Sequence, residues 1–556
     1  MRIGNRWKLK LGVCLLALIL TLVGKALSQD KPAEAPTSAA TAATPAPAKP
    51  DPGGTATGTI ADVPAKEAGK PTLVEVADAV GHNRVAINIM WTLIAGFLVM
   101  FMQAGFALAE TGFTRAKNVA HTMMMNFMIY AIGMTGYWIM GFALQMDGVG
   151  ALGTLGGTGV LDGEFTITLF GKEFGLWGTK GFFLAGTTYD VAVFALFLFQ
   201  MVFMDTAATI PTGAMAERWK FSSFFIYGFF ISMVTYPLFA NWVWGGGWLS
   251  TLGKNFGLGH GYVDFAGSSV VHMVGGVTAL AGAMVLGPRI GKYNKDGTPN
   301  PIPGHNIPMA ILGCFILAFG WFGFNPGSTL AGTDLRIAVI AVNTMLASAV
   351  GAIVAALYMW ARFGKPDPSM AANGFLAGLV AITAPCAFVS SFWAVVIGAL
   401  AGIFLCWSVL FVERTLKVDD PVGAISVHGT CGAWGVLSLG LFADGTYGDG
   451  FNGVQGTVRG LLYGDPSQLV AQIIGPVTNF GFIFGASWLF FKFLDVTVGM
   501  RVSREEELEG LDVPEMGAHG YPEIHGPPTL VHGLGVIPAA RAQAVPATVI
   551  APERSR

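Results

Sequence analysis

The chain holds 556 residues, of which 53% are apolar and only 12% are charged. Soluble domains carry about 25% charged residues, so the composition points away from a soluble protein and toward a polytopic membrane protein. A net charge of −2 gives no basis for binding nucleic acid.

The N-terminus reads as a processing signal over residues 1–28. Arg2, Arg6, Lys8 and Lys10 form a basic region, Leu11 to Val23 is an apolar stretch short for a span, and Ala26-Leu27-Ser28 is a small-residue cleavage site. A retained signal anchor is the alternative. Cys14 follows Val13 and so lacks the small preceding residue of a lipoprotein box. Residues 29–72 are rich in Ala, Pro, Thr and Gly and are expected to form a disordered linker outside the membrane.

Eleven apolar runs of spanning length follow, at 85–108, 121–145, 189–213, 222–243, 264–287, 307–325, 337–361, 371–388, 391–412, 424–443 and 468–494. Only a tight turn parts the eighth from the ninth. A signal peptide and an odd count put the mature N-terminus outside and the C-terminus inside. Loop charge agrees with that orientation. Inner loops carry Arg115, Lys117, Arg218, Lys220, Arg289, Lys292, Lys295, Arg362, Lys365, Arg414 and Lys417, against Lys172, Lys180, Lys254, Arg336 and Arg459 outside. The outer loop 146–188 is Gly-rich and is expected to be partly extended. Cys14, Cys314, Cys386, Cys406 and Cys431 lie in apolar runs without metal-like spacing and read as small hydrophobes.

Spans five and ten share a pattern. Each carries a histidine eight residues after an aspartate, preceded by valine and followed four residues later by glycine: Asp264, His272, Gly276 and Asp420, His428, Gly432. Eight helical residues rise about 12 Å, so histidines approaching from opposite faces meet near the middle of a core about 30 Å thick. An inverted five-plus-five repeat with function at its midplane accounts for this, and leaves span eleven as a brace. A lone histidine of this kind is ordinarily satisfied against a neighbouring helix; a symmetric pair at one depth reads as pore lining. The aspartates read as helix caps, most directly in Asp420-Pro421, with Asp264 also adding negative potential to an outer vestibule.

Further motifs join these. Gly112-Phe113-Thr114-Arg115-Ala116-Lys117-Asn118 follows span one, Gly213-Ala214-Met215-Ala216-Glu217-Arg218 ends span three, and Gly320-Trp321-Phe322-Gly323-Phe324-Asn325-Pro326-Gly327-Ser328 ends span six. In this order, with Asp264 through His272 and Asp419-Asp420-Pro421 through Gly429, the chain closely resembles the ammonium transporter (Amt/Rh) family, bacterial Amt type, over about residues 85–524. The resemblance implies an all-α polytopic membrane protein of eleven helices, a homotrimer with one pore per subunit. It also implies residue roles. Trp244, Phe203 and Ser328 would bind ammonium in an outer vestibule. Phe203 and Phe324 would form a gate, with His272, His428 and Trp321 lining the pore below. Ammonium would lose a proton near the vestibule, and ammonia would pass the gate. No cofactor or metal is expected.

The expected layout is therefore a signal peptide at 1–28, a periplasmic linker at 29–72, a transporter domain at 85–494, a cytoplasmic regulatory tail at 495–525 and a disordered extension at 526–556, in a bacterial inner membrane. On composition alone the tail, from Arg501 through Asp512, is a solvated charge run; the resemblance implies a segment that responds to a PII-type signal protein. Asp205, within span three, turns about 200° from Phe203 and reads as contacting a neighbouring helix or subunit. Glu110 reads as a cap or a helix contact. Gly423 stands where some family members carry an acid, which weakens any case for acid-assisted proton handling there. Two other functions compete: an ammonium sensor of the same fold with little flux, and a metalloenzyme using the two histidines, for which no clustered third ligand is visible.

Overall fold

A computed structural model describes residues 60–157 and 159–522. The expected signal peptide, most of the linker and the C-terminal extension lie outside the described residues. The chain divides into two units, Met1–Gly81 and His82–Arg556. In the first, a short turn at Ile60–Asp62 precedes the start of a helix. There the Thr72 hydroxyl and the Glu75 carboxylate cap each other's backbone N–H groups. This cap starts the first helix at Leu73, well before the expected 85.

Among the described residues, ten helices are long and apolar enough to cross a membrane. They are α1 Leu73–Phe113, α2 Ala116–Met146, α3 Val191–Met215, α4 Phe221–Trp244, α5 Ser268–Leu286, α6 Ile307–Thr329, α7 Ile337–Phe363, α9 Ser391–Arg414, α10 Ile425–Phe442 and α11 Pro466–Thr497. The remaining expected span is the shorter α8, Pro368–Ile382. It stops before the expected 388 because Pro385 has no N–H to continue the ladder and disfavours helical geometry in the residue before it. Starts are marked by side-chain caps: Asp190 for α3, Asn306 for α6, Asp367 ahead of Pro368 for α8 and Asp465 ahead of Pro466 for α11.

The centre of the second unit belongs to α3 and α5, which are largely buried, whereas α7 and α11 leave most of their length exposed. Exposed Phe315, Leu357, Trp407, Val477 and Phe493 mark apolar outer faces suited to lipid. Small residues let α7, α8 and α9 approach closely: Gly351 faces Gly374 and Gly378, and Gly398 faces Ala347.

The loop expected to be extended contains an antiparallel hairpin, β1 Glu164–Leu169 and β2 Lys172–Gly178. Its turn, Phe170-Gly171, has both φ angles positive (56° and 73°), which suits the twist of the strands. The hairpin lies over the end of α4. Leu176 carbonyl accepts from the Trp242 indole at 3.0 Å, and Glu164 accepts from Asn241 at 3.0 Å. Burial pushes the Glu164 carboxyl up to about 7, with nearby Asp147 adding to the shift against the pull of the Asn241 bond.

At the opposite end, the Gly213-to-Arg218 motif builds an ion cluster. Glu217 pairs with Arg115 and, at 2.9 Å, with Arg289; Arg289 also pairs with Asp419 at 2.8 Å. Burial alone would raise the Asp419 carboxyl, but the Arg289 hydrogen bonds and the charges of Arg218 and Arg289 hold it well below the usual range. The charged tail is docked here rather than solvated. It forms α12 Arg504–Glu509 and α13 Asp512–Met516. Asp512 accepts from His121 N at 3.0 Å, Glu515 from Phe221 N at 2.8 Å and Glu507 from Ile290 N at 2.7 Å. His121 and Phe221 lie at or near helix starts, where carboxylates are favoured, and Glu507 also pairs with Arg501 at 2.7 Å; these contacts explain why the charge run folds back.

Candidate functional site

The two Asp–His segments build one centre from two directions. Asp264 accepts from the N–H groups of Gly267, Ser268, Ser269 and Val270 at 2.7–2.9 Å, and from the Ser269 hydroxyl at 2.7 Å. Asp420 accepts from the N–H groups of Val422, Gly423 and Ile425. Both therefore cap, as the sequence predicts. The cap is not a straight helical start: Gly267 and Gly423, each three residues after its Asp, have φ of 112° and 81°. At Gly267 any side chain would also meet Val271 and the Trp244 ring. Both helices then open with a π-helical turn, Ser268–Met273 and Ile425–Thr430, and each turn carries its histidine.

His272 Nδ1 and His428 Nδ1 lie 3.1 Å apart. One ring must donate and the other accept, so the pair shares a proton and fixes opposite tautomers. Glycines set this approach. A Cβ at Gly276 would strike the Gly429 backbone, and one at Gly432 would strike the Ser268 carbonyl. The glycine four residues after each histidine is thus where α5 and α10 touch without side chains.

Aromatic rings extend the pair into a column. The Trp244 and Phe203 centroids are 6.1 Å apart, Phe203 and Phe324 stack at 4.1 Å, Phe324 and His272 lie at 5.4 Å, and His272 and His428 at 5.2 Å. Trp321 stacks beside His272 at 5.1 Å, and its indole N–H donates to Thr383 at 2.9 Å. The Trp244 N–H donates to the Asp264 carbonyl at 2.6 Å, which ties this ring to the α5 cap. Ser328 donates to the Phe324 carbonyl at 2.7 Å, so its oxygen keeps lone pairs free to accept. Phe203, Phe324 and Trp321 are fully buried. His272 Nε2 is buried without a hydrogen-bond partner among the described residues.

Asp205 stands apart from this column. It is buried on α3 facing Gly133 of α2, on the side that helix rotation predicts. Sequence reasoning missed Phe106 and the place of Glu110 beside His428. Phe106 packs on His428 at 6.1 Å, and Glu110 lines the same cavity as His428. The usable signal was the spacing of Phe106, Ala109, Glu110 and Phe113, which places them on one helical face. Among the described residues no three His, Cys, Asp or Glu side chains gather as metal ligands do.

Residues 90–521 match the family profile described as Ammonium Transporter Family. The chain belongs to that family. It is 48% identical to Ammonium transporter Amt2 of Archaeoglobus fulgidus over 446 residues, covering 80% of this chain and 90% of that protein. It is 38% identical to Ammonium transporter Amt1 of Haloferax mediterranei, covering 81% of this chain and 82% of that one. Among solved structures it is similar to a protein titled Sensor Amt Protein, with a TM-score of 0.68 and 36% identity over 78% of this chain and 99% of the other. Mep2 of Candida albicans gives a TM-score of 0.64 at 25% identity, covering 83% and 95%.

Proposed function

We propose that the protein is a selective ammonium transporter that takes up NH4+ at Trp244, Phe203 and Ser328, removes a proton, and passes NH3 between Phe203 and Phe324 along His272 and His428. The observation that carries this reading is the imidazole pair, 3.1 Å apart, beneath two stacked phenyl rings. Ammonium is close to potassium in size, so selection must use its four hydrogen-bond donors and its removable proton. Aromatic faces attract a cation by about 0.5–2 kcal/mol each, and the Ser328 oxygen accepts one N–H. A full charge at the phenyl pair loses its hydration, which is severely unfavourable; neutral ammonia loses far less. Potassium has no proton to give up and stops there. Below, the imidazoles offer a donor and an acceptor to ammonia and a route for the released proton.

The wider assignment follows the family. It comprises eleven spans in an inverted five-plus-five repeat, a homotrimer in the bacterial inner membrane, an outer N-terminus after signal cleavage and a cytoplasmic tail that meets a PII-type protein. No cofactor is part of it. The test is charge movement across a supported membrane of proteoliposomes. Ammonium is expected to evoke a transient and potassium none. Equal responses would reject selectivity, and no response to either would favour a sensor. In the same assay Trp244→Leu should raise the half-saturating ammonium concentration roughly tenfold, the equivalent of about 1.4 kcal/mol; an unchanged value would remove Trp244 from the binding site.

A further inference from the structure

The cavity beyond His428 holds a second ionisable group. Of the twelve side chains that line it, only His428 and Glu110 titrate, and most of the rest are apolar. Phe106 packs on the His428 ring, and Glu110 follows on the same face of α1 one helical turn on, about 6 Å along the axis. Asn373, another polar lining residue, has its amide N–H committed to the Val422 carbonyl at 3.0 Å. Glu110 is buried inside an apolar helix, and no ion pair reaches it among the described residues. A carboxylate there is costly and marks function by default.

Its hydrogen bonds suit both protonation states. Glu110 Oε2 accepts from Asn126 Nδ2 at 2.8 Å and from the Thr212 hydroxyl at 2.7 Å. The Thr212 hydroxyl also lies 2.7 Å from the Thr209 carbonyl. When Glu110 is ionised, Thr212 donates to it. When Glu110 is protonated, its O–H donates to Thr212, whose own proton turns to Thr209. One hydroxyl rotation exchanges the two states, and no heavy atom moves.

Resting on the reading of the histidine column as the conduction path, we propose that Glu110 carries the proton at the far end of the pore. The carboxylate takes up the proton that leaves the imidazole pair through the cavity. The resulting carboxylic acid gives it to ammonia emerging past His428, forming NH4+ and restoring the carboxylate. Charge and atoms balance, and one positive charge crosses with each ammonia. The ionisable groups whose fields reach Glu110 are Asp420 ahead of α10 and Tyr227 on α4, with His428 across the cavity.

The experiment compares wild type, Glu110→Gln and Glu110→Asp in proteoliposomes, reading ammonium-evoked charge and lumenal pH together from pH 5.5 to 8. Glutamine keeps the Asn126 and Thr212 bonds but holds no proton to pass. Charge moved per ammonia delivered should fall by roughly a hundredfold, the low end of what a positioned proton carrier contributes, while the lumen turns more alkaline. Aspartate should retain charge movement with a displaced pH profile. Wild-type charge and pH profile in both variants would overturn the role of Glu110 alone. A wild-type protein without ammonium flux would overturn the transport reading and this one together. If the glutamine variant does not fold, an unchanged pH profile in the aspartate variant still rejects the proposal.

Discussion

The openings of α5 and α10 use one device, an aspartate cap, a left-handed glycine and a π-helical turn, to bring two imidazoles together, yet the surroundings differ. Asp264 makes five hydrogen bonds, and its carbonyl holds Trp244; Asp420 makes three and lies partly open. His272 is sealed between Trp321 and Phe324, with no exposed surface, while His428 looks into a cavity that holds a carboxylate. A symmetric backbone therefore carries an asymmetric chemistry. One ring faces the buried phenyl pair, and the other faces a largely apolar cavity that holds the Glu110 carboxylate. Direction-dependent roles need no asymmetry in the fold, only in the side chains packed around each copy.

The largest expected effect breaks the pair. His272→Ala and His428→Ala should each cut the ratio of ammonium-evoked to potassium-evoked charge, by about tenfold or more, and His272→Ala should cut it further. Its loss leaves space beneath the gate that water can fill, and hydration lowers the barrier to an ion. Retained selectivity in both variants would dismiss the pair, and equal losses would dismiss the asymmetry.

The caps give the next effect. Asp264→Ala strands several buried N–H groups, at about 1–3 kcal/mol for each unsatisfied group, whereas Asp420→Ala resembles an ordinary cap deletion of about 0.5–2 kcal/mol. Melting of the two purified variants in detergent should rank Asp264→Ala as the less stable, and the reverse order would refute the comparison.

The smallest effect concerns the hairpin, which braces the Trp244 side alone. With its carboxyl raised to about 7, folded Glu164 holds a proton between about pH 4.5 and 7 that the unfolded chain has released. The folded state then binds more protons, so its stability falls as pH rises through that window, and the penalty is complete above it. Protection of the amides from Phe165 to Trp177, each exchange rate divided by its intrinsic rate at the same pH, should be greater at pH 5.5 than at pH 8, and Glu164→Gln should erase the difference. Equal protection at both pH values in wild type would contradict this.

Much of this was legible in the sequence because it is local or repeated. Apolar runs gave the helices, Asp420-Pro421 gave one of the caps, and the eight-residue interval found in two places gave the histidines. What stayed hidden depends on packing between distant segments. Glu110 read as a cap or a helix contact; it does contact α2 and α3 through Asn126 and Thr212, but nothing near it in sequence announces its place beside His428. The break at Pro385 was masked by apolar residues on both sides, and the folding back of Glu507, Asp512 and Glu515 needed partners on three other elements. The hairpin had a signal, the alternation Phe165-Thr166-Ile167-Thr168-Leu169, which the abundance of glycine around it obscured.

The side-chain-free crossing at Gly276 and Gly432 has a mechanical consequence. With main chain resting on main chain, the spacing of the two helix openings is set by backbone contact alone. The rings are then held in place by their neighbours, His272 by Trp321 and Phe324 and His428 by Phe106. A side chain added at either glycine would therefore part the imidazoles by moving the backbones that carry them, whatever rotamers the rings hold.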